Sequence, residues 1–403
     1  MSRFKKIVSL SLWSLLLLFV IYIAIPYILS PVYDFPATKP FAGDSIYNPY
    51  KNAQPKNWLK GNFHCHSDVW GILTNGRAKG NSIKNIVLRY QSMGYDIICV
   101  SDYDRISTDN NPPHLFVRVY EHALGTCHYH HLVFGADHVS WLDFLGYESL
   151  SNKQFMLNHL FETSLLTVIA HPKLTLAYAP EDFKYLCNYH VLEVFNNFRF
   201  SIEHWDTALS TGHAVFCLAD DDCHDINDPQ LMQRCFTMVN TADRSESGIV
   251  NALKAGSSYS VDFNMRDNET FDDKIADAKK LKTVKSVCVH NNVLSISYPE
   301  IVDEIKFVGQ NGVIKDTVKN TDSASYIIKP EDTYIRAVIT VKDLGKLYLN
   351  PVIRYNGKAL PFYTATVNEM KTLFYRTIVL LIVIIVSSLF VWIISRNIRN
   401  KLP

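Results

Sequence analysis

Two apolar runs bracket this chain and set its gross layout. Ile7 to Leu29 is almost wholly apolar and long enough to cross a bilayer as a helix, which takes ~20 residues. Arg3, Lys5 and Lys6 precede it. A cleaved signal peptide needs a shorter run and a small-x-small cleavage site. IAIPYILSPVY offers no good one, so an uncleaved anchor is expected. Thr377 to Ser395 is a second run, followed directly by Arg396, Arg399 and Lys401. Basic flanks stay on the cytoplasmic side. The expectation is a two-pass membrane protein with both termini cytoplasmic and everything between the spans extracytoplasmic. Lys371 and Arg376 on the outer flank run against that rule.

The 403 residues leave room for two or three domains. Net charge is +1 with no block of like charge, so nucleic-acid binding has no electrostatic support. No pair among the eight cysteines has CxxC spacing, which argues against a zinc ribbon. Cys65, Cys99, Cys217 and Cys235 lie in or beside apolar runs and read as small core residues. Fourteen of the fifteen histidines lie between His64 and His224. The chemistry is therefore sought in that segment.

Two pairs stand out there. GNFHCHS ends a short apolar run with His64 and His66. ADDDCHD follows AVFCLA with Asp222 and His224 at the same spacing. Alternate residues of a strand point the same way, so each pair can address one point. Together they suggest a metal site built from strand ends, with Asp220 and Asp221 as alternatives to Asp222.

Ser30 to Asn57 is rich in Pro, Tyr and Asn and reads as an extended linker, 30–57, that lifts the next domain off the membrane. From Trp58 to Phe263, helical and strand patterns alternate. Asn81 to Gly94 reads as a helix and YDIICVSDYD as a buried strand. LFVRVYEH and HHLVFGAD follow as strands, and NKQFMLNHLFE as a helix. LLTVIAHP, HVLEVFN and AVFCLADDDCHD are strands separated by the helical stretches EDFKYLC and Ile202 to Thr211. CFTMVN, a helix over Gly248 to Lys254, and SYSVDF close the series. Such alternation predicts a parallel α/β fold, open or barrel. Its functional residues would gather at strand ends. His64, His66, Asp102, Glu121, His171, Glu193, Asp222 and His224 all fall there. After Asn264, short alternating runs with Asn and Gly turns predict a separate antiparallel β-sandwich over 275–356.

These residues resemble the PHP family, named for its polymerase and histidinol-phosphatase members. The resemblance covers Lys60 to about Phe263. It rests on His64-Cys65-His66-Ser67, Ser101-Asp102-Tyr103, Tyr120-Glu121, His131 opening HLVFG, His171-Pro172, and Asp222-Cys223-His224, in the family's order. It implies a distorted (β/α)7 barrel of PHP type over 58–263, followed by the sandwich and flanked by transmembrane helices at 7–29 and 377–395. It also implies divalent metals of the Zn, Mn or Fe kind, which mixed imidazole and carboxylate ligands suit. Carried over by motif, His64, His66, Glu121 and Asp222 would hold one ion. Glu121 would bridge to a second ion held by His131 and His171. His128 and His130 stand beside His131 as alternatives, whereas His122, adjacent to Glu121, would point to the opposite face of the strand.

Two departures limit the resemblance. Tyr103 stands where the family has a histidine, and no histidine lies in Ser67 to Gly76. Two metals rather than three are expected, with His224 either completing the site or touching substrate. Tyr103 would donate to a phosphate oxygen, and Asp102 would orient a ligand imidazole. The implied activity is a membrane-tethered metallohydrolase of a phosphate ester. Phosphodiester, lipid-linked phosphate and amide bonds remain open. The alternative is a degenerate metal-binding scaffold whose sandwich binds a partner or glycan.

Overall fold

The computed structural model describes residues 3–70, 80–107, 114–174 and 177–399. Helix α1 (Arg3–Leu29) leads into two short strands, β1 (Tyr33–Asp34) and β2 (Ser45–Tyr47). The α/β part follows: β3 (Trp58–Asn62), α2 (Ile83–Ser92), β4 (Ile97–Ile98), β5 (Val119–His122), β6 (His131–Phe134), α3 (Leu150–Thr163), β7 (Leu166–Ile169), β8 (Val191–Asn196), α4 (Ile202–Ser210), β9 (Phe216–Asp220), β10 (Cys235–Asn240), α5 (Glu246–Lys254) and β11 (Ser258–Phe263). Then come α6 (Phe271–Lys280), β12 (Ser286–His290), β13 (Val293–Val308), β14 (Ile314–Ile327), β15 (Tyr334–Val341), β16 (Gly345–Tyr355), β17 (Thr366–Val367) and α7 (Glu369–Arg399).

The helices begin where polar caps accept the first free N–H groups. Ser82 accepts from Asn85 N, Ser149 from Asn152 N and Ser245 from Gly248 N. Helix α2 buries Ile86, Val87 and Tyr90 on one face, and Gly94 takes a left-handed φ of +77° just beyond its end. Strands β5 to β9 are buried along their whole lengths, as strands covered on both faces must be.

The strands form two main sheets. One runs β5-β6-β7-β8-β9, antiparallel through β7 and parallel from β7 to β9. The other runs β12-β13-β15-β16-β11-β10-β3-β4, with only β3 and β4 parallel. Isolated bridges join their ends: Tyr103 with Glu121 on one side and Cys65 with Cys223 on the other. Across the second seam Asp222 N donates to His64 O and His66 N to Cys223 O, both at 2.9 Å. The two motif pairs are thus laced side by side.

Three expectations are corrected. The C-terminal strands are not a separate sandwich. Strand β16 pairs β11 from Tyr259–Leu349 to Phe263–Gly345, so they continue the sheet that holds β3. Strand β11 is buried on both faces and its outer edge needs a partner. Asn350 pins the junction, accepting from Cys217 N at 2.8 Å and donating to Ser258 O at 2.9 Å. Residues 30–57 are not a free spacer either. Phe41 and Tyr50 are buried, β2 pairs β16, and the Tyr50 hydroxyl donates to Ser258 O at 2.8 Å. Its aromatics have apolar surface to cover, which outweighs the extended bias of its prolines. Finally, a helix (α6) occupies a stretch where none is expected, begun by a reciprocal cap between Thr270 and Asp273.

Helices α1 and α7 contain segments long and apolar enough to cross a membrane, Ser11–Leu29 and Glu369–Arg396. They pack together, with Trp13 and Phe390 edge to face at 5.6 Å. Their inner ends are tied by β1–β17 pairing and by Val32 N donating to Thr372 Oγ1 at 2.9 Å. The two cations that precede the second apolar run have local partners: Lys371 pairs Asp34, and Arg376 donates to Leu29 O at 2.7 Å.

Candidate metal centre

Four buried side chains converge where the two sheets meet. His64 Nε2, His66 Nε2, Glu121 Oε2 and Asp222 Oδ1 come from the ends of β3, β5 and β9. The two nitrogens are 3.2 Å apart. Each lies 3.1 Å from Glu121 Oε2 and 3.2 Å from Asp222 Oδ1. A tetrahedral ion with ligands at about 2.0–2.1 Å sets neighbouring donors about 3.3 Å apart. The quartet is close to that shape. Glu121 turns its other oxygen to a second group. Oε1 lies 2.7 Å from His130 Nδ1 and 3.1 Å from His171 Nε2. One carboxylate therefore faces two donor sets, as a bridging ligand does.

The chemistry of the donors fits cations. Asp222 Oδ1 lies 3.2–3.3 Å from three imidazoles (His64, His66 and His224) yet forms no well-angled hydrogen bond. Burial alone would push the His64 imidazole down. Asp222, Glu121 and Glu193 outweigh it and hold that group well above its ordinary value. His66 is raised in the same way to about 9, against its burial, by Asp222 and Glu121. Glu121 and Asp222 are held well below the usual carboxylate range, against burial, chiefly by His64. The carboxylates and imidazoles thus favour their charged forms beside one another, and an ion taking the imidazole nitrogens would displace their protons.

The surrounding residues hold these donors in place. Glu193 Oε1 is 3.0 Å from His64 Nδ1, and Oε2 accepts from His171 N at 2.7 Å. Asn196 donates to Glu193 Oε1 and to Asp222 Oδ2. A register shift between Glu193 and Phe195 lets one strand aim both. His171 and Asp222 have positive φ, +25° and +49°. For non-glycine residues that strain has to be sustained by surrounding contacts.

The structure sorts the sequence candidates. His64, His66, Glu121, His171 and Asp222 are brought together. His224 borders them, stacked on His66 at 4.5 Å with its side chain 21% exposed. His131 is a correction. It points away, with Nε2 at 2.9 Å from the Tyr178 hydroxyl, and His130 takes the place expected for it. Neighbouring residues face opposite ways along an extended chain. His122 likewise faces out, bonded to Leu142 O. His128 lines the approach beside His130 without joining either donor set. Asp102 is also corrected. Its carboxylate accepts from Ser67 N and Ser67 Oγ and touches no imidazole among the described residues. Tyr103 stacks against His66 at 4.4 Å. Asp220 accepts from Phe63 N, and Asp221 from the backbone of Gln233, Arg234 and Cys235, so neither competes with Asp222. Asn196 was not foreseen. A polar residue closing the buried strand VLEVFN was the available signal.

A cleft of about 480 Å³ leads to the centre, lined by Trp70, Tyr103, Asp104, Leu124, His128, His130 and Trp141 among others. Trp70 Nε1 donates to Tyr103 O at 2.9 Å.

No protein-family model and no curated protein matches this chain. Solved structures similar to it include two. One is a two-domain protein from Bacteroides vulgatus containing a predicted PHP-like metal-dependent phosphoesterase. It is 13% identical with a TM-score of 0.39, and the match covers 83% of this chain and 99% of that one. The other is PsfC from Pseudomonas syringae, 13% identical with a TM-score of 0.33, covering 49% and 87%.

Proposed function

We propose that this chain is a metal-dependent hydrolase acting on a phosphate ester. The observation that carries the reading is Glu121, whose two oxygens face two separate donor sets. His64, His66, Glu121 and Asp222 would hold one ion, and Glu121, His130 and His171 the other. Such a pair, when bound, polarises a phosphoryl oxygen and makes water nucleophilic at neutral pH. Zn, Mn or Fe suits the donors.

The protein's own groups do the rest. Glu193 fixes the His64 ring and the His171 backbone. The Tyr103 phenol, pushed up by burial and by Glu121, keeps its proton and can donate to a phosphoryl oxygen. His224 stands at the partly exposed side and can meet the substrate. Trp70 and Trp141 stand on the walls of the approach.

The two sheets, bridged at both ends, support a ring of seven strands, β3 to β9, of the PHP barrel kind. Membrane tethering by α1 and α7, with the catalytic part outside the cytoplasm, belongs to the same proposal.

Metal content of the purified full chain and hydrolysis of a panel of phosphate mono- and diesters test it. Two ions per chain are expected. Activity should vanish in His64→Ala and Asp222→Ala with the fold intact by circular dichroism. Full activity in both variants would refute the proposal.

A further inference from the structure

The approach to the metal centre is built against the end of a membrane helix. Trp141, which walls the cleft and is 58% exposed, opens the segment 141–147. Three residues on, Phe144 packs edge to face on Tyr27 of α1 at 4.9 Å. The Tyr27 hydroxyl donates to Tyr147 O at 3.0 Å, and Tyr147 itself is 72% exposed. Tyr27 lies within the apolar span Ser11–Leu29, close to its inner end. The segment is also fixed to the catalytic side. His122 bonds Leu142 O at 2.9 Å, and Gly125 N donates to Asp143 at 2.8 Å.

Exposed Trp and Tyr beside a span belong at the lipid interface, where an apolar ring meets a wet edge. Among the described residues the cleft lining contains Leu124, Ala123 and two tryptophans but neither Lys nor Arg. Among those residues a highly charged soluble substrate finds little counter-charge outside the metal centre. An amphiphile, with one phosphate at the centre beside His130 and Tyr103 and an apolar tail along Leu124 and the tryptophans, matches the two ends of this lining.

We propose that the cleft takes its substrate from the membrane surface: a phosphate ester carried on a lipid. This rests on the hydrolase reading and on α1 and α7 spanning a bilayer.

The test uses the full chain in phosphatidylcholine nanodiscs. Trp141 fluorescence, taken as the difference from Trp141→Phe, is measured with lipids brominated near the top of the acyl chain. Phosphate release is measured in parallel from phosphatidic acid, a polyprenyl phosphate and soluble glycerol phosphate. Seating at the interface predicts clear quenching of the Trp141 signal. One of the lipid phosphates should turn over about tenfold faster than glycerol phosphate, a gain that burying roughly two CH₂ groups can supply. Absence of Trp141 quenching overturns the proposal, as does glycerol phosphate turning over as fast as the faster of the two lipids. Quenching without hydrolysis of any ester, in protein that holds its ions, refutes the hydrolase reading and upholds the seating of the cleft.

Discussion

Glu193→Gln isolates how far the metal centre depends on a residue that need touch no ion. Both oxygens of Glu193 are occupied: Oε1 faces His64 Nδ1 at 3.0 Å, and Oε2 accepts from His171 N at 2.7 Å. If His64 Nε2 holds an ion, Nδ1 must carry the proton, so both neighbours are donors. Glutamine keeps the shape but turns one acceptor into an NH₂ group. One buried N–H then faces another. A buried donor without an acceptor costs about 1–3 kcal/mol. At about 1.4 kcal/mol per tenfold, that is roughly 5- to 150-fold in affinity. It brackets the ~10- to 100-fold typical of losing an outer partner of a ligating histidine. Competitive titration of zinc or manganese against a chelating dye, on detergent-solubilised chain, reads this directly. Asp220→Asn is the control. Burial and Glu193 hold the Asp220 carboxyl well above its usual range, and it accepts from Phe63 N. Its amide should bind metal about as well as the parent. Parent-like affinity in Glu193→Gln would refute the reasoning, and so would an equal loss in both variants.

Three further outcomes are expected. His130→Ala should reduce bound metal from two ions to one by mass spectrometry, whereas His131→Ala should keep both and lose only its contact with Tyr178. Lys60 is partly buried, and desolvation of its ammonium pushes it down to about 7, with Asp221 and Asp96 opposing. Two features favour the charged form, the bond to Gln233 Oε1 at 3.0 Å and the Tyr95 ring at 4.0 Å, but desolvation is the larger effect. The folded chain thus sheds this proton before the unfolded chain does. Its penalty is fully present below pH 7 and is relieved as pH rises towards 10.5. The gap amounts to on the order of 5 kcal/mol. The Tm of the parent relative to Lys60→Met should therefore climb between pH 7 and 9.5; a flat difference would mean the ring and hydrogen bonds win. Arg336 grips Asp206 with two bonds, 2.9 and 2.8 Å, where β15 meets α4. Arg336→Met leaves that carboxylate buried alone and should cost roughly 3–5 kcal/mol in thermal unfolding, while Asp206→Asn with Arg336→Met should recover part of it.

Much of the centre was legible because strand geometry is periodic. His64 with His66, and Asp222 near His224, follow from alternation alone. The same rule failed at His131, for a physical reason. Strand β6 is buried on both faces, so its apolar pattern carries no register. In HYHH either parity reads equally well, and only the pairing of β5 and β7 selects His130. Asp102 was misassigned because its partner, Ser67, is a neighbour only across the sheet. The C-terminal strands looked self-contained because pairing between β11 and β16 spans about eighty residues of intervening chain. Helix α6 was missed since FDDKIADAKK has few apolar residues to mark a face.

The contact between Tyr50 and Asn350 sets an order of events. Asn350 N donates to the Tyr50 hydroxyl at 2.7 Å across 300 residues, and β1 meets β17 at still greater separation. Chains are made from the N-terminus, and contacts between distant residues are slow to form. The sheet that carries β3 therefore keeps an open edge at β11 until β16 has been synthesised, and the N-terminal segment around Tyr50 waits for its last partner until then.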